Sequence, residues 1–320
     1  MFIKLKLFSE EKMKKSTREF IKEARSAKEY SFFDLIHGYI YMRWPYFYIS
    51  MGKGDHPWSK KFTPLISWLG KLITVKAGRG VKEGRQSGFE DGYHGKVVPL
   101  EAAKQLVTVN QDIRLENLEQ IIPYDRARDI ILKNPDHIVV LDCPCRKGKA
   151  DACLPLDVCL IIGEPFASFV IEHHPKVSRW LSPQEAEQIL KDEDERGHVH
   201  HAFFKDAVLG RFYAICNCCA CCCEAMKGQQ NGIPMLISSG YVCQVDEGLC
   251  AACGSCELVC QFKAIQVNEH AHIDYAKCMG CGVCVNQCAQ GALKLLRDEN
   301  LPQPLEIQKL MMDSIQGGSL

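Results

Sequence analysis

Leu249-Cys-Ala-Ala-Cys-Gly-Ser-Cys-Glu-Leu-Val-Cys260 and Lys277-Cys-Met-Gly-Cys-Gly-Val-Cys-Val-Asn-Gln-Cys288 decide how the C-terminal part of this chain folds. Both read Cys-x-x-Cys-x-x-Cys-x-x-x-Cys. A constant offset of 28 residues superposes them and also carries Gly254 onto Gly282, Ala264 onto Ala292 and Ile265 onto Leu293. Self-similarity at a fixed offset marks an internal repeat. Four thiolates stepped in this way, twice over, have the ligand spacing of two 4Fe-4S cubes. Thiolates two residues apart also suit tetrahedral zinc, but structural zinc motifs seldom step four cysteines evenly and then repeat them. The small residues between the ligands, Ala251, Ala252, Gly254, Gly280 and Gly282, let backbone N–H groups approach cluster sulfides, where hydrogen bonding tunes the potential.

The stretch from about Asp246 to Leu296 resembles the two-cluster bacterial ferredoxins. The resemblance implies that three thiolates of each run hold one cube and the fourth crosses to the other. One set is then Cys250, Cys253, Cys256 and Cys288; the other is Cys278, Cys281, Cys284 and Cys260. The family usually places Pro after the fourth cysteine, whereas Gln261 and Ala289 stand there in this chain. No ligand is lost by that departure, but the rigidity of the turn changes.

With 320 residues the chain has room for two or three domains. Its 39 basic and 39 acidic residues balance, so no broad field draws it to nucleic acid. Nineteen cysteines, all but Cys243 in ligand spacings, point to a reducing, cytoplasmic and anaerobic setting rather than to a disulfide scaffold. The first residues lack the apolar core of a secretory signal. The nearest candidate for a membrane span, Phe32 to Met51, is interrupted by Asp34, His37, Arg43 and Pro45. The glycines of Leu72 to Gly84 have the wrong spacing for a dinucleotide loop, and no Walker A motif occurs, so no nucleotide is expected.

The expected fold is α+β in several pieces. Residues 1–95 read as a helical, aromatic-rich N-terminal region with a Gly-rich linker, and 96–242 as a mixed α/β cysteine-rich domain. Residues 243–297 form the two-cluster ferredoxin-like module, and 298–320 a tail. Ser9 to Tyr30 suits an amphipathic helix. Phe32 to Ile49 reads first as a packed helix pair broken at Pro45, and second as a docking surface or a peripheral contact with the inner face of the membrane. Six glycines, Gly78, Gly80, Gly84, Gly88, Gly92 and Gly95, mark a linker. Ala127 to Asn134 is expected to be helical, and His137 to Leu141 and Gly210 to Ile215 to be strands. Ser182, Pro183 and Glu185 open the clearest helix, which Gly197 closes.

A second constellation lies outside the repeat: Cys143, Cys145, Cys153 and Cys159, then Cys216, Cys218, Cys219, Cys221, Cys222 and Cys223. Thiols this dense cannot all be core fillers, because neighbours on any regular element point different ways. They are metal ligands, with iron–sulfur favoured over zinc, or redox thiols activated beside a cation such as Arg146. Spacing leaves open whether each group holds its own centre or the two fold together around one or more further clusters. The Cys143-x-Cys145-Arg146 motif, the Cys159 segment, the Ser182 helix, the stretch through His200 and Ile215-Cys-Asn-Cys-Cys-Ala-Cys-Cys-Cys resemble a group of anaerobe proteins known only as 4Fe-4S ferredoxin or 4Fe-4S binding-domain proteins. That resemblance covers about Ile121 to Leu296 and implies cluster binding without naming a reaction. His198, His200 and His201 read chiefly as solvated histidines at a helix C-terminus. Among them His200 is the best candidate ligand or proton donor, ahead of the His173-His174 pair.

The function that follows is a multicluster electron-transfer protein or subunit working with a redox partner or larger complex. The alternative is a reductase with its active site at Cys216 to Cys223, acting on a disulfide, a C–S bond or another two-electron acceptor.

Overall fold

The computed structural model describes residues 13–27, 30–53, 93–124 and 129–315. Helices α1 (Lys15–Ser26), α2 (Phe32–Arg43) and α3 (Pro45–Lys53) come first. The central part follows as β1 (Tyr93–Val97), α4 (Leu100–Val107), β2 (Ile113–Leu115), β3 (Ile130–Asp142), α5 (Pro144–Lys147), β4 (Asp157–Glu164), α6 (Phe166–His173), β5 (Ser178–Leu181) and α7 (Pro183–Glu195). It continues through β6 (Val199–Lys205), β7 (Arg211–Cys218), α8 (Glu224–Gln230) and β8 (Leu236–Ile237). The C-terminal module holds β9 (Tyr241–Val245), α9 (Ser255–Val259), β10 (Ile265–Val267), β11 (Ala271–Ile273), α10 (Val283–Asn286) and β12 (Leu293–Arg297), before α11 (Ile307–Ile315). Helices and strands are mixed as an α+β fold requires.

An eight-stranded sheet runs β2-β3-β4-β7-β6-β1-β8, with β5 also on β3. Its pairs are antiparallel except β1 with β8. Alternation along each strand sends side chains to opposite faces. On β6, Ala202 and Phe204 enter a core with Leu106 of α4, Leu190 of α7 and Leu310 of α11. Val199 and Phe203 enter a second core with Phe20 of α1, Met42 of α2 and Phe169 of α6. Both faces are covered, so all seven residues of β6 are buried.

The helix expected over Ala127–Asn134 is not formed: among the described residues, Ile130 onward belongs to β3. Ile130 and Leu132 are buried opposite Leu115 and Ile113. Cross-strand packing of β-branched side chains outweighs a helical pattern that short. The strand expected at His137–Leu141 lies in the second half of β3, and that expected at Gly210–Ile215 is formed from Arg211 onward as the first part of β7. The α7 start carries its capping box: Ser182 Oγ accepts from Glu185 N at 3.2 Å, and Glu185 Oε2 from Ser182 N at 2.8 Å. Of the six linker glycines only Gly95 is described. It lies within β1, where a Cβ would stand 2.6 Å from Phe203 Cε1. The other five, and Leu72–Gly84, lie outside the described residues.

The aromatic stretch is a packed helix pair divided at Pro45. The Tyr41 and Tyr213 hydroxyls are 2.7 Å apart, and the Tyr46 hydroxyl donates to Asp142 O at 2.9 Å. His173 and His174 are structural: His173 Nε2 meets Thr17 Oγ1 at 2.8 Å, and His174 Nε2 meets Met42 O at 2.9 Å. The opposite side of the pair leaves Phe32, Phe33, Ile36, Ile40 and Trp44 exposed. Among the described residues, no helix is long and apolar enough to cross a membrane.

The last described residues return to the sheet, with Leu305, Ile307 and Leu310 in the first core. There the buried Lys96 donates to Gln303 O at 2.7 Å. Burial, helped by Arg297, lowers its pKa to about 7. Between about pH 7 and 10.5 the unfolded chain therefore holds a proton that the folded chain does not, and stability rises with pH across that window. A tenfold difference in proton affinity between the two states is worth about 1.4 kcal/mol. Lys96→Met is expected to flatten this rise. Anaerobic urea titrations at pH 7 and 9.5 check it, because the carbonyl left without a partner costs the same at both.

Candidate functional site

The repeat in sequence is a repeat in space. Gly254 (φ +79°) and Gly282 (φ +86°) cap α9 and α10 in the left-handed region. Ala271 N donates to Cys250 Sγ at 3.4 Å, and Cys243 N to Cys278 Sγ at 3.4 Å, two contacts related by the same 28-residue offset. Each half ends in a two-stranded ladder, β10 with β11 and β12 with β9. Cys250, Cys253, Cys256 and Cys288 line one cavity. Cys260, Cys278, Cys281 and Cys284 gather in the other half. Burial and neighbouring thiolates push the Cys281 thiol well up. Cys243, which the spacing did not single out, places its Sγ 3.6 Å from Cys284 Sγ. The offset could have flagged it as the counterpart of Ala271.

The ten upstream thiols sort differently from their order in the chain. The register of β4 and β7 sets Cys159 opposite Cys216. Thiol contacts then run from Cys216 through Cys159, Cys143, Cys145 and Cys223 to Cys218. These six face one cavity, which Cys219 and Cys222 also line and which Tyr41, Pro45 and Ile49 close on the helical side. Hydrogen bonds to neighbouring thiols and burial push Cys143 and Cys223 well up. Cys218 is held down at about 6 by its hydrogen bond from Cys223 and by His201, against burial. The other four, Cys153, Cys219, Cys221 and Cys222, gather at the turn after β7, with all sulfurs within 4.8 Å of one another. Neither sequence group is a site by itself.

Arg146 is buried beneath the six. It donates to Pro155 O at 2.6 Å, Glu193 Oε2 at 2.5 Å and Asn217 O at 3.0 Å. The histidines are not solvated as expected, because Gly197 (φ +80°) turns the chain straight into the buried β6. His198 Nδ1 meets Glu193 Oε2 at 2.7 Å and His200 Nδ1 meets Asn217 Oδ1 at 2.7 Å. Alternation turns His201, rather than the favoured His200, to the thiol face beside Cys218.

Residues 271–294 match the 4Fe-4S binding domain family. The chain carries a 4Fe-4S ferredoxin domain. Pyruvate synthase subunit PorD of Methanocaldococcus jannaschii is 37% identical over 57 residues, 17% of this chain and 66% of that protein. The PorD of Methanothermobacter marburgensis is 38% identical over 55 residues, covering 65% of it. A subunit of the ion-translocating oxidoreductase complex of Methanosarcina acetivorans is 46% identical over 55 residues, covering 20% of it. The chain thus spans less than two thirds of each of these relatives.

Gln261, standing where this family usually has Pro, joins the ferredoxin domain to the sheet. Its Oε1 accepts from Ala220 N at 2.9 Å, and its Nε2 donates to Gly197 O at 3.0 Å. Asn286 Nδ2 adds a bond to Asp194 Oδ2 at 2.9 Å. Val283, Met279 and Cys281 pack into the same core as Cys218 and Cys223.

Gly280 (φ +63°) shows how closely the backbone approaches here, since a Cβ would collide with Tyr241 O. Gly280→Ala is expected to displace the Cys278–Cys281 loop. Iron content should fall, as read by colorimetric iron assay of the anaerobically purified protein.

Proposed function

We propose that this protein is an iron–sulfur electron-transfer subunit, with two 4Fe-4S clusters in the ferredoxin domain and a further cluster in the cysteine-rich domain of residues 96–242. The ligand sets are Cys250, Cys253, Cys256 and Cys288, then Cys260, Cys278, Cys281 and Cys284, and for the third centre Cys143, Cys145, Cys159, Cys216, Cys218 and Cys223. Such clusters supply reversible one-electron storage. The left-handed glycine caps and the N–H bonds to Cys250 and Cys278 sulfurs suit thiolate ligands, because each N–H stabilises negative charge on sulfur.

The observation that carries the reading is Gln261. It follows Cys260 directly and bonds the main chain of the thiol turn at Ala220. One ligand set is thereby fixed against the upstream thiols by covalent and hydrogen bonds, while the Cys250 set faces away, with Cys253 exposed. A redox partner would exchange electrons at that exposed end. The relatives are named as subunits of a pyruvate synthase and of an ion-translocating oxidoreductase complex, which supports a multiprotein redox system here too. The reading keeps a cytoplasmic setting, with Phe32–Ile49 as the surface for peripheral contact at the inner face of the membrane.

One observation favours the reductase alternative: eight thiols line one cavity where four complete a cube. Steady reduction of a disulfide by the photoreduced protein alone would favour it over relay.

Anaerobically purified full-length protein is expected to hold about twelve irons or more. Cys143→Ser and Cys216→Ser should lower that toward about eight, the number for two cubes. About eight irons in the unaltered protein would overturn the third centre. Gln261→Ala, which removes two hydrogen bonds of about 1 kcal/mol each, is expected to leave iron content intact. It should slow reoxidation of the ferredoxin-domain clusters by the third centre several-fold after flash reduction.

A further inference from the structure

We infer that Cys153, Cys219, Cys221 and Cys222 form a mononuclear tetrahedral zinc site at the edge of the cavity, where Cys219 and Cys222 adjoin the six-thiol set, and outside the ferredoxin domain. The sulfurs of Cys153 and Cys221 are 3.2 Å apart, those of Cys219 and Cys221 3.3 Å, and those of Cys153 and Cys219 3.6 Å. The Cys221 and Cys222 sulfurs are 3.7 Å apart, and all four lie within 4.8 Å of one another. Four thiolates on a single ion at about 2.3 Å stand about 3.8 Å apart along each tetrahedral edge. In a cube each thiolate binds a different iron, which sets the sulfurs on the order of 6 Å apart. Among the described residues, no other His, Cys, Asp or Glu set converges to a comparable degree, the eight ferredoxin-domain cysteines included.

Charge and shape agree with a resident ion. Zinc with four thiolates carries a net charge of about −2. Lys149 Nζ donates to Cys221 O, and Lys227 stands beside Cys222. The Cys219–Cys222 turn is tight, with Cys222 N and Cys223 N both donating to Cys219 O, at 3.2 and 3.0 Å. Cys153 belongs to the loop between α5 and β4, so one ion would pin that loop to the turn after β7. Both segments also carry members of the six-thiol set on either side: Cys145 and Cys159 flank Cys153, and Cys218 and Cys223 flank the turn. The zinc site is therefore a staple that shapes the mouth of the cavity, and an all-thiolate tetrahedron suits such a closed structural role.

Zinc and iron per chain, together with zinc-edge X-ray absorption, test this on full-length protein purified anaerobically from medium supplied with both metals. One zinc per chain is expected, surrounded by four sulfurs at about 2.3 Å. Cys153→Ser and Cys221→Ser, at partly exposed positions, should each lower retained zinc at least tenfold after dialysis against a chelator. Ferredoxin-domain iron should persist in both. Absence of zinc from the unaltered protein, nitrogen or oxygen in its shell, or loss of iron in place of zinc from Cys221→Ser would overturn the assignment. The absorption measurement stands even if the variants fold poorly. The iron count that tests the relay is read separately from the zinc count.

Discussion

A buried guanidinium is the constraint around which the cysteine-rich region is organised. Arg146 reaches the Pro155 carbonyl on the loop before β4, the Asn217 carbonyl on β7, and Glu193 near the end of α7. Burying a cation is costly unless its donors are satisfied and its charge is opposed. Glu193 supplies the opposing charge, itself bonded by His198. The three tethered segments are the ones that carry or border the thiols. With Lys149 bonded to Cys221 O and Cys143 N to Leu156 O, this ion pair holds the short, glycine- and proline-broken loops of α5 and the Cys153 segment against the sheet. The same positive charge lies beneath the upstream sulfurs and favours their thiolate form.

The presence of a ferredoxin domain was legible in the sequence because its information is local. Ligand spacing within each run dictates loop shape, and a fixed offset relates the halves. The upstream thiols stood out by their density, but their grouping could not be read, since it depends on β4 lying antiparallel beside β7. That pairing joins residues far apart in the chain, and spacing along one segment cannot report it. The histidines illustrate the same limit. His198, His200 and His201 follow a capped helix, which favours solvent, yet β6 is a central strand and takes them inside. The failed helix at Ala127–Asn134 likewise turns on the neighbour β2, which the local pattern does not contain.

Gln261 gives a departure from a family pattern its physical meaning. Proline after the fourth cysteine has no N–H and no side-chain amide, so it can only stiffen its own turn. A glutamine there can satisfy two backbone groups on another domain, Ala220 N and Gly197 O. The ferredoxin domain is thus oriented by contacts next to its own ligands rather than by a distant linker. At Ala289, the matching position of the other half, the described contacts include no such bridge. The second half meets the sheet domain instead through Asn286, Gln287 and Val283, so the two halves are held by unlike contacts.

That asymmetry gives the duplicated motif a direction. Two copies of one ligand pattern have been set in unlike dielectric surroundings: Cys253 is exposed, while Cys281 is packed against the core that holds Cys218 and Cys223. Solvent stabilises the more negative, reduced form of a charged centre, and a drier, thiol-rich wall disfavours it. One ligand spacing used twice can therefore generate a stepped pair of potentials rather than a degenerate one, so that the surroundings, and not the ligand spacing, set which end of the repeat would fill with charge first.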